Sequence, residues 1–189
     1  MLATAAAAVH AERADRSKPL TMEADRPCTV DLLRQISVCS GNVVIAQGTL
    51  QIRADRVELR ETPEGYRQAT ATGTPGEPAQ YRQKRDGSDE TIEGRADRVE
   101  YDARADTLRF VGNALIRRSR GANASEEIQG SLIVWDNTAE QFSVQGGVVS
   151  PTNPSGRVRA VLTPRDPAAS STAPPAPSLR PSGSLGERR

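Results

Sequence analysis

The chain has 189 residues, which suits one domain of ordinary size with additional tail residues rather than two full domains. Only 36% of the residues are hydrophobic and 3% are aromatic, so any core is thin and consists mostly of Val, Ile, Leu and Ala. The 25 Lys and Arg nearly cancel the 24 Asp and Glu, which argues against a protein that binds the phosphate backbone of nucleic acid. No apolar run approaches the roughly 20 residues of a transmembrane helix.

The N-terminal segment MLATAAAAVHA is rich in alanine and ends in a small-x-small pattern that a signal peptidase could cut before Glu12. It lacks the basic residues that usually begin a secretion signal. We interpret residues 1–11 as the remnant of a signal peptide, with the folded domain over residues 12–165. The alternative is a disordered alanine-rich tail.

Cys28 and Cys39 are the only cysteines of the chain. In an exported protein they would reach a compartment where a disulfide persists, and a bridge would stabilise the fold by about 2 to 3 kcal/mol. Two packed free thiols are the alternative. The single histidine, His10, lies in the presumed leader, so the domain cannot assemble a Cys/His zinc site, and we expect neither a metal nor a cofactor.

The hexapeptide RADRVE occurs twice, beginning at Arg53 and at Arg95, and the apolar side chains change phase inside each copy. They fall on even numbers before the central Asp-Arg pair and on odd numbers after it. The first copy shows this in Leu50, Ile52, Ala54, Val57 and Leu59, and the second in Ile92, Gly94, Ala96, Val99 and Tyr101. A one-residue slip exchanges the two faces of a strand, so a bulge or corner at each Ala-Asp-Arg would return the apolar side chains to the inside.

Two weaker copies, LTMEADR at residues 20–26 and IQGSLIVWD at 128–136, bring the number of units to four. Each unit precedes a β-prone stretch with glycine: ISVCSGNVVI, QATATGTPG, LRFVGNALI and FSVQGGVV. The Gly-Asn and Gly-Gly pairs predict tight turns between antiparallel strands. Together these patterns predict an all-β protein, a long and slim stack of antiparallel strands.

Three further segments are predicted to lie between or beyond the strands. GEPAQYRQKRDGSDE is predicted to be a loop or hairpin that turns at Asp86-Gly87, and RRSRGANASEE an exposed connection. Residues 166–189 are rich in Pro, Ser and Ala without an aromatic residue, which predicts a disordered tail.

Catalytic arrangements fit the sequence poorly. Nucleophile systems that depend on histidine have none in the predicted domain. The carboxylates alternate with apolar residues, as in Val57-Glu58-Leu59, which places them on the solvent face rather than in a cleft. The repeated Asp-Arg pairs favour a structural role at strand corners over a ligand-binding role. The sequence therefore predicts a protein that is not an enzyme.

Several segments, in this order, resemble the LptA/OstA family of periplasmic lipopolysaccharide-transport proteins. They are PLTMEAD, GNVVIAQGTLQIRADRVEL, GEPAQYRQ, IEGRADRVEYD and FVGNALI, and the resemblance extends over roughly residues 19–165. The run from GNV through QGT to ADRVE is its most specific part.

The resemblance implies an OstA-like β-jellyroll, a slim V of stacked antiparallel strands whose hydrophobic groove holds the acyl chains of lipid A. It implies a periplasmic protein that forms part of a bridge carrying lipopolysaccharide from the inner to the outer membrane, with no catalysis and no cofactor. The implied partners are lipopolysaccharide, further copies of the chain joined head to tail, and the jellyroll domains of the inner-membrane and outer-membrane transport proteins.

The family's lipid-contacting positions fall on Leu20, Tyr81 and Tyr101, and the apolar phase adds Met22 and Trp135 as groove-lining candidates. Each could equally be an ordinary core residue. A further family contact falls on Ala103, which is smaller than the family leads us to expect.

Two other interpretations compete with this one. A glycan-binding or protein-binding jellyroll of another envelope system would bind independently of acyl chains. A related family member, such as the N-terminal domain of the outer-membrane partner, would share the groove. The sequence does not specify the length of an oligomer, the lipid affinity or which end meets which partner.

Overall fold

The computed structural model describes residues 15, 17–85, 89–120, 123–139, 141–147 and 155–162. The predicted signal remnant at 1–11, the predicted tail at 166–189 and the predicted turn at Asp86-Gly87 lie outside the described residues. The domain limits of 12 and 165 stay a prediction. Within the described ranges, no helix has both the length and the apolar character to cross a membrane.

The described residues form one antiparallel sheet system of twelve strands, which confirms the all-β prediction. The strands are β1 (Leu20–Glu23), β2 (Thr29–Asp31), β3 (Ile36–Gln47), β4 (Leu50–Glu61), β5 (Arg67–Thr72), β6 (Ala79–Lys84), β7 (Glu90–Ala96), β8 (Arg98–Asp102), β9 (Thr107–Arg120), β10 (Asn123–Asp136), β11 (Gln141–Gln145) and β12 (Arg159–Val161).

Four long strands exchange partners halfway along their length, and this divides the sheet into two layers. In β4, residues 51–53 pair with β6 whereas residues 56–61 pair with β5. In β9, residues 107–111 pair with β8 whereas residues 115–120 pair with β7. The first layer thus contains β1, β6, β7 and β12, the second contains β2, β5, β8 and β11, and β3, β4, β9 and β10 run through both.

The two layers pack face to face over a thin core. The ring of Tyr81, on β6 of the first layer, meets the ring of Phe110, on the second-layer half of β9, edge to face at 5.7 Å. Gly94 on β7 lies beneath the same ring, since a Cβ there would come within 2.3 Å of it. Apart from these aromatics, the core consists mainly of Ala, Val, Ile and Leu, as the composition predicts.

The change of layer takes place at the Gly-Asn pairs, which the sequence analysis wrongly predicted to be turns between strands. Gly41 and Asn42 lie inside β3, and Gly112 and Asn113 lie inside β9. All four have positive φ, with 79° and 45° in the first pair and 78° and 45° in the second. Two residues of β3, Gly41 and Asn42, lie there opposite one residue of β4, Asp55, so the pair forms a bulge that bends a continuous strand instead of ending it.

Two of the repeated Asp-Arg segments, those of Asp25 and Asp97, hydrogen-bond to these bulges. The N–H of Asp25 donates to the carbonyl of Gly41, and that of Asp97 donates to the carbonyl of Gly112, both at 2.9 Å. The Asn113 side chain also donates to the Asp97 carboxylate at 3.0 Å. These contacts stabilise the corners between the layers and agree with a structural role for the Asp-Arg pairs at Asp25 and Asp97.

The predicted phase slips are confirmed by the burial of the strands. In β4, Ile52 and Ala54 are buried before the corner and Val57 is buried after it. The second copy repeats the pattern, with the break at Asp97 between β7 and β8.

The two predicted connections differ in outcome. β6 and β7 pair as a hairpin, as predicted. The segment predicted to be an exposed connection after β9 is instead mostly strand, because β9 continues to Arg120 and β10 begins at Asn123. Cross-strand ion pairs hold this extension, with Arg117 on Glu127 at 2.8 Å and Arg118 on Glu126 at 2.5 Å.

Candidate functional site

An apolar cavity of about 190 Å³ lies between the two layers, at the side where their hairpin turns face each other. The first layer contributes β1 and the adjoining ends of β3 and β4, and the second layer contributes the turn after β4 together with β5 and β8. Its lining residues are Leu20, Ile45, Gln47, Leu50, Ile52, Leu59, Gly65, Tyr66, Arg67, Ala69, Tyr101 and Ala103.

A second, narrower cavity of about 30 Å³ continues the first toward β6 and β9. The two share four lining residues, Gln47, Leu50, Ile52 and Tyr101. The narrow cavity adds Tyr81 and Leu108, and it ends at the polar side chains of Asp15, Gln83 and Asn137. We call these two connected cavities the groove.

The groove exists because the second layer presents small side chains where the packed part of the interior has large ones. Ala69, Gly65 and Ala103 face the wide cavity. By contrast, Phe110 is 1% exposed and fills the space between Gly94 and Tyr81. The small Ala103 that departs from the family pattern thus lines the wide cavity.

The predicted site residues fall into two groups. Leu20 and Tyr101 line the wide cavity, and Tyr81 and Tyr101 line the narrow one. Met22 and Trp135 pack against the same hydrophobic core, but neither belongs to the lining of the groove. Trp135 stacks on Phe142 with ring centroids 4.2 Å apart. The roles of all five in lipid binding stay predictions.

The narrow end of the groove carries a hydrogen-bonded polar cluster that sequence reasoning missed. Asp15 is 6% exposed and accepts hydrogen bonds from the Thr49 N–H at 2.9 Å, the Thr49 hydroxyl at 2.6 Å and the Gln83 amide at 2.8 Å. The Tyr81 hydroxyl donates in turn to the Gln83 carbonyl oxygen. Burial opposes the charged form of Asp15, but the hydrogen bonds from Thr49 and Gln83 outweigh it and hold the pKa of the carboxyl below its usual value.

The outward-facing carboxylates are engaged in ion pairs away from the groove. Glu58 pairs with Arg60 at 3.6 Å, and Glu100 pairs with Arg98 at 2.8 Å and with Arg109 at 3.2 Å. A wider concavity of about 500 Å³ on the outside of the first layer is lined largely by charged and amide side chains, including Arg53, Arg82, Arg95 and Arg117. Among the described residues, no three His, Cys, Asp or Glu side chains come close enough together to hold a metal ion.

Cys28 and Cys39 form a disulfide, with their Cα atoms 4.3 Å apart. The bond connects the residue before β2 to β3 and so secures a short hairpin at the edge of the second layer. Cys28 is exposed, whereas Cys39 is buried in the core. The bridge lies outside the lining of the groove.

Several groove-lining residues were not predicted from the sequence, and the sequence patterns around them differ. Leu50 and Leu59 belong to the apolar rows of the first RADRVE copy, so the pattern predicted their inward direction but not a gap between them. Tyr66 lies in the turn after β4 and Arg67 begins β5, so neither belongs to an apolar alternation that would predict its direction. Asp15 precedes the first repeat and lies outside any apolar alternation, so the sequence carried no signal of its burial.

The comparisons with known proteins identify the family. The family described as "LptA/(LptD N-terminal domain) LPS transport protein" matches residues 21–141 of the chain. The chain belongs to this family.

Individual relatives agree with this assignment. The chain is 26% identical over 160 residues to the lipopolysaccharide export system protein LptA of Haemophilus influenzae, over 85% of this chain and 86% of that protein. It is 26% identical over 132 residues to LptA of Escherichia coli K12, over 70% of this chain and 69% of that protein.

A crystal structure shares the fold. It is that of LptH from Pseudomonas aeruginosa, titled the LptA homologous periplasmic component of the conserved lipopolysaccharide transport device. The TM-score is 0.67 at 22% identity, over 79% of this chain and 99% of that one. The predicted jellyroll fold class is thereby confirmed.

Proposed function

We propose that this protein carries lipopolysaccharide between the inner and outer membranes, with acyl chains of lipid A held in the groove between its two layers. The family assignment supports the transport role. The observation that carries the proposal for this chain is the apolar cavity between Leu50 and Tyr101, which opens where the hairpin turns of the two layers face each other.

The chemistry of the groove suits an acyl chain. Its walls are chiefly Leu, Ile, Ala and Tyr side chains, with Arg67 in the wide cavity and Asp15 in the narrow one as charged lining residues. Ion pairs such as Arg98–Glu100 and Arg117–Glu127 lie outside the groove. Each CH₂ group removed from water contributes about 0.8 kcal/mol, so a chain of ten or so carbons gains several kcal/mol by entering. The sugars of the same lipid would stay in water at the open side.

The wide cavity is smaller than most ligand pockets, which begin at about 300 Å³. At about 190 Å³ it accommodates part of one acyl chain in the form described here. The proposal therefore includes a separation of the layers at the open side as lipid enters, with the corners at the Gly-Asn bulges acting as the fixed side.

The proposal also covers the cellular compartment of the protein and its binding partners. We place the protein in the periplasm, without catalytic activity. The strands at the layer edges, β1 and β2 at one end and β11 and β12 at the other, each pair on one side only within the described residues. Exposed strand edges can extend a sheet into a neighbour, which supports head-to-tail association with further copies and with the jellyroll domains of the membrane partners.

Native mass spectrometry of the full chain with intact lipopolysaccharide and with a fully deacylated form tests the proposal. We expect binding of the intact lipid alone, weakened at least about tenfold by Tyr101→Asp because a charge would enter the apolar groove. Gln80→Asp places the same charge on the exposed outer face of β6 and is the matched control. Equal binding of both lipid forms would instead favour a glycan-binding module, and binding of neither would refute the proposal.

A further inference from the structure

Asp15 differs from three other aspartates of the described residues that accept backbone hydrogen bonds. Asp31, Asp102 and Asp136 each accept N–H groups two and three residues further along the chain, as is typical of aspartates that stabilise turns. Asp15 instead accepts from residues 34 and 68 positions away, in the turn after β3 and in β6. Local turn formation therefore does not account for it.

A second contact, at Lys18, connects the segment that carries Asp15 to the groove. The Lys18 N–H donates to the Asp15 carbonyl at 2.9 Å, which turns the segment back on itself. The Gln47 side-chain amide, at the end of β3, donates to the Lys18 carbonyl at 2.9 Å. Since Gln47 also lines both cavities, Asp15 and Lys18 lie beside the end of the groove.

The receiving pocket is shaped for an oxygen anion. Three neutral donors converge on the Asp15 carboxylate, two from Thr49 and one from Gln83. Gly48 leaves the required space, because a Cβ there would lie 2.0 Å from the Asp15 Oδ1 atom. The apolar side chains of Leu50, Ile52 and Leu108 line the same narrow cavity.

If Asp15 left the pocket, the Gln83 amide donor would lose its acceptor at a side chain that is only 7% exposed, and a buried donor without a partner is unfavourable. Thr49 is exposed, so water can reach its two donors once the carboxylate has gone. Another oxygen acceptor beside Gln83 would therefore favour the departure of Asp15. The head of an acyl chain supplies such an oxygen in its ester, amide or carboxylate group, next to the hydrocarbon that the groove would bind.

We propose that Thr49 and Gln83 form a subsite at the narrow end of the groove that donates hydrogen bonds to a ligand oxygen. Asp15, which belongs to the same chain, occupies this subsite until the head group of an acyl chain displaces it. This rests on the proposed function and adds to it a site for the polar base of the chain. Asp15 and Lys18, which are hydrogen-bonded to Thr49, Gln83 and Gln47, then act as a latch. Lipid entry and latch release are reciprocally linked.

Two surfactants with the same twelve-carbon chain test the subsite on the full-length protein. Dodecanoate presents a carboxylate acceptor, whereas dodecyltrimethylammonium presents a cation without an acceptor. Asp15→Ala removes the competitor, so we expect dodecanoate to bind at least about fivefold more tightly. Dodecyltrimethylammonium should bind equally or more weakly, because the variant lacks the negative charge.

Two further variants distinguish the subsite from a general loosening of the fold. Thr49→Val in the Asp15→Ala background removes the hydroxyl donor and should return dodecanoate affinity to within about twofold of the wild type. Asp31→Ala removes a comparable aspartate from an exposed turn and should leave both affinities unchanged. Circular dichroism of each variant verifies that it is folded.

Hydrogen exchange supplies a second readout on the wild-type protein. Lipid entry should raise the exchange of peptides covering residues 15–20, because the latch is released. Unchanged dodecanoate affinity in Asp15→Ala, equal strengthening for both surfactants, or greater protection of residues 15–20 on lipid binding would each overturn the subsite. Lipopolysaccharide binding to the wild type, measured in parallel, tests the proposed function separately.

Discussion

The interior of this protein has a packed part and an open part, although the same long strands contribute to both. In the packed part, Phe110 fills the space above Gly94, and Ile133 is completely buried. In the open part, the groove separates Leu50 of the first layer from Tyr101 of the second. Small residues such as Ala69 and Ala103 line the open part, whereas Phe110 fills the packed part. A single fold can therefore combine a stabilising core with a binding cavity.

The largest expected loss of stability comes from a substitution in the packed part. Phe110→Ala should lower the free energy of unfolding by about 3 to 5 kcal/mol, because it leaves a void over Gly94 and removes the contact with Tyr81. Tyr101→Ala, in the open part, should cost less than about half as much, since Tyr101 already lies beside a cavity and is only half-buried. Urea unfolding of both variants measures the difference. Equal losses would contradict the division of the interior.

The disulfide should stabilise the fold without acting on the groove. Cys28→Ser together with Cys39→Ser should lower the free energy of unfolding by about 2 to 3 kcal/mol, because the unfolded chain gains entropy. Lipopolysaccharide binding should stay unchanged, since neither residue lines the groove. Unfolding of the reduced wild type is the control and should match the variant. Loss of lipid binding in a variant that is still folded would show that the bridge supports the site.

Filling the open part should act on binding and leave stability nearly unchanged. Ala103→Leu places a larger side chain in the wide cavity and should weaken lipopolysaccharide binding about tenfold, or about 1.4 kcal/mol. Ala105→Leu, on an exposed residue of the same turn, is the matched control and should bind normally. Native mass spectrometry gives the affinities and thermal unfolding gives the stabilities. Normal lipid binding by the Ala103 variant would place the acyl chain elsewhere.

The smallest expected effect is a loss of stability of the whole fold at acidic pH. Hydrogen bonding from the Ala105 N–H lowers the pKa of Asp102, and hydrogen bonding from Arg117 lowers that of Glu127. Because these pKa values are lower in the folded state, the unfolded state binds more protons as the pH falls. This contribution to stability is therefore fully present above the ordinary values of 3.8 and 4.5 and disappears as the pH falls through the folded-state values.

Urea midpoints measured between neutral pH and about pH 3 test this dependence. Asp102→Asn should make the decline shallower, because one of the contributing carboxylates is removed. A wild-type midpoint that rises as the pH falls would contradict the assigned directions of the pKa shifts.

The sequence predicted the strands and the corners better than it predicted the site. Alternation of apolar residues determines which side chains point inward, so the phase slips at Asp55 and Asp97 were visible in the repeats. The same alternation cannot tell whether inward side chains meet, so a gap between Leu50 and Tyr101 left no trace. The Gly-Asn pairs were misassigned because positive φ is compatible with both a turn and a bulge, and only the pairing register distinguishes them. Asp15 depends on partners 34 and 68 residues away, which no local pattern encodes.

Site-specific photo-crosslinking tests the central claim, that acyl chains occupy the open part of the interior, most directly. A benzoylphenylalanine residue would replace Tyr101 or Tyr66, which line the wide cavity, or Gln80 on the outer face of β6. After irradiation with intact lipopolysaccharide, we expect lipid adducts at positions 101 and 66 and none at position 80. Adducts at position 80 alone, in protein that remains folded, would contradict the account.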